Sequence, residues 1–329
     1  MKKISKYLIF TGVLTLLTFF IATAQYKLLI TQSQLEVGDT ARVFVAGHSG
    51  DIQWEKSFNL VQWSDIPGEV TDSLVYIVDT SLYLRGRITE GTCSPLYSDT
   101  LHITVFVCGI STVADYEGSI YNTVQIGDQC WMKENMKTNH YADGTELIDG
   151  TNAGNVNNDF TTRYWFAYNN DTINKQAYGL LYTWAAVMNG AASSNANPSG
   201  VQGICPDSWH VPSDNEWMQL ELFLGMNQSM LTYNGYRGTT EGGKLKESEY
   251  TYWNYPNTGA NNQSHFTARG GGIRVDSTFY GIKAEGQWWT STQWGPNDSN
   301  LRQLLYDHED IARYQVIKWE GSSVRCIKN

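Results

Sequence analysis

Gly203-Ile204-Cys205-Pro206-Asp207-Ser208-Trp209-His210-Val211-Pro212-Ser213-Asp214-Asn215-Glu216-Trp217 ends in a helix start. Ser213 and Glu216 have the spacing of a capping box, in which a serine hydroxyl and a glutamate carboxylate each satisfy a free N–H of the first turn. Trp217, Leu220, Phe223 and Leu224 follow at helical spacing as the expected buried stripe. Gly225 can take the left-handed position that stops the helix. Upstream, Tyr178-Gly179-Leu180-Leu181-Tyr182-Thr183-Trp184-Ala185-Ala186-Val187-Met188 puts Leu181, Trp184, Ala185 and Met188 on one face, which predicts a second helix ended by Gly190. From Met226 onward the chain reads as short strands and long loops. Two helices in that background predict an α+β domain.

Nearer the N-terminus the pattern has period two. Ala41–Val45, Asp51–Glu55, Leu74–Val78, Tyr83–Ile88 and Leu101–Phe106 carry β-formers at strand length, and Gly47, Gly50, Pro67-Gly68 and Gly91 punctuate them. Short strands without helical period predict an all-β sandwich over residues 25–107. Trp54, the Trp63–Gly68 run, Tyr83 and Cys93 give this stretch a resemblance to the Ig-like modules of bacterial surface proteins, and in such a module Trp54 is a core residue. After Cys108 tryptophan, tyrosine, asparagine and glycine become dense, so residues 108–112 are read as a linker and 113–329 as the second domain.

The first residues have export logic. Lys2, Lys3 and Lys6 precede an apolar run from Tyr7 to Ile21, and Ala22-Thr23-Ala24 has the small-x-small pattern of a cleavage site. A signal peptide over residues 1–24 is therefore expected, with the mature chain starting at Gln25. The apolar run is too short for a bilayer span, so no membrane insertion is expected after cleavage. Cleavage removes three lysines from a net charge of −10, leaving −13. An acidic protein repels nucleic-acid phosphates, which argues against nucleic acid as a partner. Five cysteines lie beyond the signal, none in a metal-type spacing, in a compartment where disulfides persist. The expected location is extracellular or the outer cell surface, with the periplasm as the alternative.

Several runs in register resemble the Fibrobacter succinogenes major paralogous domain. They are Tyr121–Lys137, Tyr178–Trp184, Gly203–Trp217, Gly242–Glu247, Trp288–Thr292 and Ser323–Cys326, and the likeness covers about Val113 to Asn329. Trp209–Trp217 and Val324–Cys326 also resemble stretches of formylglycine-generating-enzyme-like domains. That second likeness implies the C-type-lectin-like superfold, with two helices, a small twisted antiparallel sheet and long loops. It also implies a bridge from Cys205 to Cys326, as lectin-like domains commonly tie the first-half helical region to the last strand. Cys108 with Cys130 is the second expected bridge, leaving Cys93 free. Five cysteines forming two bridges allow about 15 arrangements, and sequence alone leaves the choice open.

Chemistry is harder to find. No nucleophile signature is present, and the six histidines are scattered. His210, beside the helix start, reads as a hydrogen-bonded structural residue. Formylglycine-generating enzymes carry a reactive cysteine pair near the C-terminus, whereas Cys326 is the one cysteine here after Cys205. No cofactor is expected. Calcium is the one metal worth weighing, because Asp149–Asp159 is rich in the oxygen ligands it prefers, but the loop lacks EF-hand spacing and reads more simply as solvated. The expected function is non-catalytic recognition of an extracellular glycan or protein. The alternatives are an enzyme of another activity on a lectin-like scaffold, or a structural surface-layer component. Candidate ligand residues are Trp253, Tyr255, Trp294, Asn297 and Asp298, which mix flat apolar faces with amide and carboxylate groups in the Met226–Asn300 region. Trp288 and Trp289 are read as core.

Overall fold

The computed structural model describes residues 26–30 and 35–329, and the expected signal peptide and cleavage point lie outside them. The chain divides into two compact units, one ending at Val107 and one running from Cys108 to Asn329. Residues 108–112 are thus not a free linker. Cys108 is bridged to Cys130, the Gly109 N–H donates to the Thr123 hydroxyl, and that hydroxyl donates to the Ser111 carbonyl.

The first unit is β-rich. Its strands are β1 (Leu28–Ile30), β2 (Leu35–Glu36), β3 (Thr40–Val45), β4 (Asp51–Ser57), β5 (Ser64–Asp65), β6 (Ser73–Ile77), β7 (Leu82–Thr89), β8 (Leu96–Tyr97), β9 (Leu101–Ile103) and β10 (Val105–Phe106). One sheet has the order β1-β3-β6, and another has β5-β4-β7-β8 with β9 also on β7, while β2 and β10 form a parallel pair. Alternation does the sorting: Leu82, Leu84, Gly86 and Ile88 of β7 are buried while the residues between them are half-buried. Val43 and Leu74 from one sheet share a core with Ile52, Trp54, Leu84 and Ile88 from the other. Trp54 is fully buried, and its indole N–H donates to the Thr71 carbonyl at 2.8 Å.

The second unit adds four short helices to a β-rich frame. β11 (Thr112–Ala114), β12 (Ile120–Ile126), β13 (Gln129–Met132), β24 (Ile327–Lys328) and β17 (Trp209–His210) make a sheet in that order, so the C-terminal strand inserts beside the first strands. Cys326, just before β24, is bridged to Cys205 across 121 residues. β14 (Ile148–Asp149), β15 (Tyr164–Phe166) and β16 (Leu181–Tyr182) form a small sheet. The largest sheet has the order β18 (Gly235–Arg237), β23 (Ile311–Ile317), β22 (Asp298–Leu305), β21 (Glu285–Gln293), β19 (Gly271–Val275) and β20 (Thr278–Ile282). β21 is buried without interruption from Gly286 to Thr292, so both of its faces are covered. Trp288 and Trp289, which point to opposite faces, are accordingly both core.

The expected helix at Tyr178–Met188 is instead a helix, a strand and another helix: α1 (Thr172–Tyr178), β16 and α2 (Trp184–Met188). Gly179 causes the break. Its φ is +84°, and a Cβ there would lie 2.7 Å from the Asn135 Cβ, so the chain turns sharply where only glycine fits. Leu181 and Tyr182 then pair with β15.

α3 (Asp214–Phe223) starts at Ser213 with both capping-box bonds formed. Trp217, Leu220 and Leu224 are buried as expected, but Phe223 is 62% exposed. The remainder of the buried side is charged. Asp214 meets Arg302 at 2.6 Å and Arg313 at 2.7 Å, and Glu221 meets Arg302 at 2.5 Å and Arg237 at 2.8 Å. The arginines come from β22, β23 and β18, so the network fastens the helix to three strands of the large sheet. Burial pushes the Asp214 carboxyl upward, but Arg302 and Arg313 outweigh it and hold the value at about 2. α4 (Glu241–Leu245) completes the set. Lys246, which follows it, is buried with its ammonium donating to the Thr258, Leu305 and His308 carbonyls.

Candidate functional site

The β21–β22 hairpin ends in Trp294-Gly295-Pro296-Asn297. The Trp294 and Gly295 N–H groups both donate to the Asp298 carbonyl, at 3.0 and 3.3 Å, which closes the turn. Lys318, just past β23, holds it from beneath. Its ammonium donates to Gln293 Oε1 at 3.0 Å, the Gly295 carbonyl at 3.1 Å and the Pro296 carbonyl at 2.9 Å, and its backbone N–H donates to the Asn297 carbonyl at 2.8 Å. The same ammonium lies 4.4 Å from the centre of the Trp184 ring, and burial pushes its pKa down. A second support comes from the 193–195 loop: the Gln293 N–H donates to Ser193 Oγ at 2.9 Å, and the Thr292 hydroxyl to the Ser194 carbonyl at 2.7 Å.

With its carbonyls turned toward a buried cation, the turn leaves Trp294 60% exposed and Asn297 exposed beside it. An exposed indole on a fixed backbone can stack on the C–H face of a sugar or fill a pocket on a protein, and little order is lost when it does so. Asp298 is half-buried, with its carbonyl spent on the turn.

The other two aromatic candidates do not join this surface. Trp253 is fully buried, its indole N–H donating to the Ala268 carbonyl at 2.8 Å, so it offers no face to a ligand. Tyr255 is 78% exposed and packs near Tyr250. It belongs to a loop tied to Lys283 and Tyr306, at the Glu285 end of the hairpin. Trp294 is at the Gln293 end. Eight strand steps separate the two ends, roughly 26 Å at the usual rise.

His210 has the structural role expected of it. Its ring nitrogens lie 2.7 Å from Glu216 Oε1 in the buried first turn of α3 and 2.7 Å from Oδ1 of the exposed Asn329. In the Asp149–Asp159 loop, side-chain oxygens accept from nearby backbone: Asp149 from the Thr151 N–H, Asn155 from Asn157, and Asp159 from Thr161 and Thr162. Among the described residues no group of three His, Cys, Asp or Glu could hold a metal ion.

A second feature escaped the sequence reading. The Tyr121–Lys137, Tyr178–Trp184, Trp288–Thr292 and Ser323–Cys326 runs meet at Asn135. Its Oδ1 accepts from the Trp288 indole at 2.8 Å and from Arg325 Nη2 at 2.8 Å, while its amide donates to the Tyr178 carbonyl at 2.9 Å. Arg325 is buried between the Phe266 and Trp288 rings, and burial pushes its pKa down to about 9. Beside this node lies a small cleft of about 30 Å³. The signal for it was a charged residue within a cysteine-bearing terminal motif, Val324-Arg325-Cys326, where a surface arginine is the usual assumption.

The bridged cysteines and β-rich frame define a disulfide-stabilised domain, an arrangement consistent with an exported protein. Residues 124–328 match the Fibrobacter succinogenes major domain, and the chain belongs to that family. Residues 30–106 match a domain of unknown function, DUF8696. No curated protein and no solved structure matches the chain.

Proposed function

We propose that the chain is an exported, non-catalytic binding protein whose C-terminal unit recognises an extracellular glycan or protein through the Trp294 turn. In this reading the N-terminal unit is an Ig-like spacer and the C-terminal unit a C-type-lectin-like recognition domain. The observation that carries it is the exposed Trp294 on a backbone fixed from below by Lys318. An exposed large aromatic ring on a rigid support is what an interface hot spot requires. Two bridges in the second unit support export to an oxidising compartment.

The test is a screen of the purified mature protein against extracellular glycans and matrix proteins, with mass spectrometry of each retained ligand. Retention of a ligand in unaltered form is expected. Chemical turnover would favour an enzyme on the same scaffold, and retention of nothing would favour a structural surface component.

A further inference from the structure

A cavity of about 270 Å³ opens between three turns of the C-terminal unit. In the first turn the Tyr141 N–H donates to the Thr145 carbonyl and the Gly144 N–H to the Tyr141 carbonyl. The second is the end of α2, where Asn189 takes the left-handed conformation and its N–H donates to the Ala185 carbonyl. In the third the Cys205 N–H donates to the Gln202 carbonyl, and Cys205 is itself bridged to Cys326. The turns are also joined to one another. The Tyr141 hydroxyl donates to the Ala186 carbonyl at 2.9 Å, and the Ile204 N–H donates to the Val187 carbonyl at 3.0 Å. Gly203 keeps that seam close, since a Cβ there would lie 2.1 Å from the Val187 carbonyl oxygen. The walls are therefore ordered before any ligand arrives, which spares the cost of ordering them on binding. Sites for drug-sized ligands begin at roughly 300 Å³, so this one suits a ligand of a single ring.

The polar lining is carboxylate and amide, with no basic side chain. Asp143 accepts from the Thr145 N–H at 2.9 Å, and Asp207 accepts from the Gln202 amide at 2.9 Å. A carboxylate has about four acceptor positions, so both retain capacity. Among the described residues neither aspartate forms an ion pair. Arg163, outside the lining, donates from Nη1 to Asn189 Oδ1 at 2.6 Å, and its guanidinium lies 5.7 Å from the centre of the Tyr141 ring. It thereby fixes the Asn189 side chain with the amide N–H groups left for a ligand. Two aspartates against this one arginine leave an excess of negative charge. The cavity thus favours a ligand that carries positive charge, and the amides favour hydroxyls, which both donate and accept.

We propose that this cavity is a second binding site, taking a single sugar ring that carries a free amine. The ammonium is held in the field of Asp143 and Asp207, while ring hydroxyls meet the Asn189 and Gln202 amides. No residue of the cavity belongs to the Trp294 turn or to its supports, so the two sites stand or fall separately.

The experiment is calorimetric titration of the full mature chain with glucosamine, galactosamine, their N-acetyl forms and the ringless amine ethanolamine. It is run at about pH 6, where amines are protonated and exposed aspartates ionised. At least one of the two hexosamines is expected to bind, with at least about fivefold loss on N-acetylation and weakening at higher salt. Asp143→Asn/Asp207→Asn keeps the shape of both exposed side chains and removes their charge. That variant is expected to lose at least about fivefold in hexosamine affinity while keeping its thermal midpoint. Trp294→Ala is expected to bind as the parent does. Binding of neither hexosamine, equal binding of the free and N-acetyl forms, or unchanged binding in the double variant overturns the proposal. Ethanolamine binding as tightly as the hexosamine overturns the assignment to a sugar, and loss of binding in Trp294→Ala overturns the separation of the two sites.

Discussion

The two units of this chain are held together differently. In the N-terminal unit the shared core is apolar, and its strongest ion pairs, Glu55 with Arg85 and Arg87, involve arginines that remain 20% and 32% exposed. In the C-terminal unit the helix α3 is fixed to its sheet by five buried charged side chains, and two disulfides clasp the unit, one near its start and one from its middle to its last strand. Apolar burial is non-directional and tolerates rearrangement. A buried ion network fixes register through geometry, and losing one member leaves the others uncompensated. The first unit should therefore degrade gradually under mutation and the second abruptly.

The largest contrast is expected on removing a bridge. The Cys205–Cys326 bridge closes a span of 121 residues and Cys108–Cys130 one of 22. A chain-entropy estimate gives roughly 5 and roughly 3 kcal/mol respectively. Cys205→Ala/Cys326→Ala should lower the calorimetric transition of the second unit more than Cys108→Ala/Cys130→Ala does, with no shift in the transition of the first. Loss of both transitions together would break the division.

Next comes Arg302→Met, which strips the shared cation from Asp214 and Glu221. It should cost about 3–5 kcal/mol by chemical denaturation. Arg87→Met, at a partly solvated pair, should cost under about 1 kcal/mol. Equal costs would erase the distinction.

Acid should find the same weak point. The Asp214 carboxyl is held at about 2 against an ordinary 3.8, so it stabilises the fold above pH 4 and that contribution is lost as pH falls toward 2. The loss amounts to about 2 kcal/mol, visible as a drop in the denaturation midpoint that Asp214→Asn would flatten.

A second titration has the opposite sign. Burial, followed by repulsion from Glu285, Asp276 and Asp298, pushes Glu320 from 4.5 to about 7. A raised carboxyl favours the fold below pH 4.5, and that favour is lost as pH climbs through 7. Glu320→Gln should raise the thermal midpoint at pH 8, by about 1–3 kcal/mol of stability, and leave it nearly unchanged at pH 4.

The same contrast governs what the letters could reveal. Leu82, Leu84 and Ile88 alternate with polar residues, so β7 and its neighbours were legible as strands. The capping box was legible because all its parts lie within four residues. The buried side of α3 was not, since Asp214 and Glu221 look like solvent-facing residues until Arg302 arrives 88 and 81 positions later. Phe223 took the place in the stripe that these carboxylates occupy. Gly179 hid a chain reversal inside an apparent helix, because its reason is the close approach of Asn135, far away in sequence. At the candidate site Trp294 and Asn297 were legible as loop residues. The burial of Trp253 and the remoteness of Tyr255 depend on how the β21–β22 hairpin sets its two ends apart.

That separation makes the recognition role testable with one measurement: calorimetric titration of a ligand retained in the screen against the parent chain, Trp294→Ala and Tyr255→Ala. Trp294→Ala should weaken binding by roughly 5- to 150-fold, equivalent to about 1–3 kcal/mol, with its thermal midpoint intact, while Tyr255→Ala binds as the parent does. Unchanged affinity in Trp294→Ala would contradict recognition through this turn.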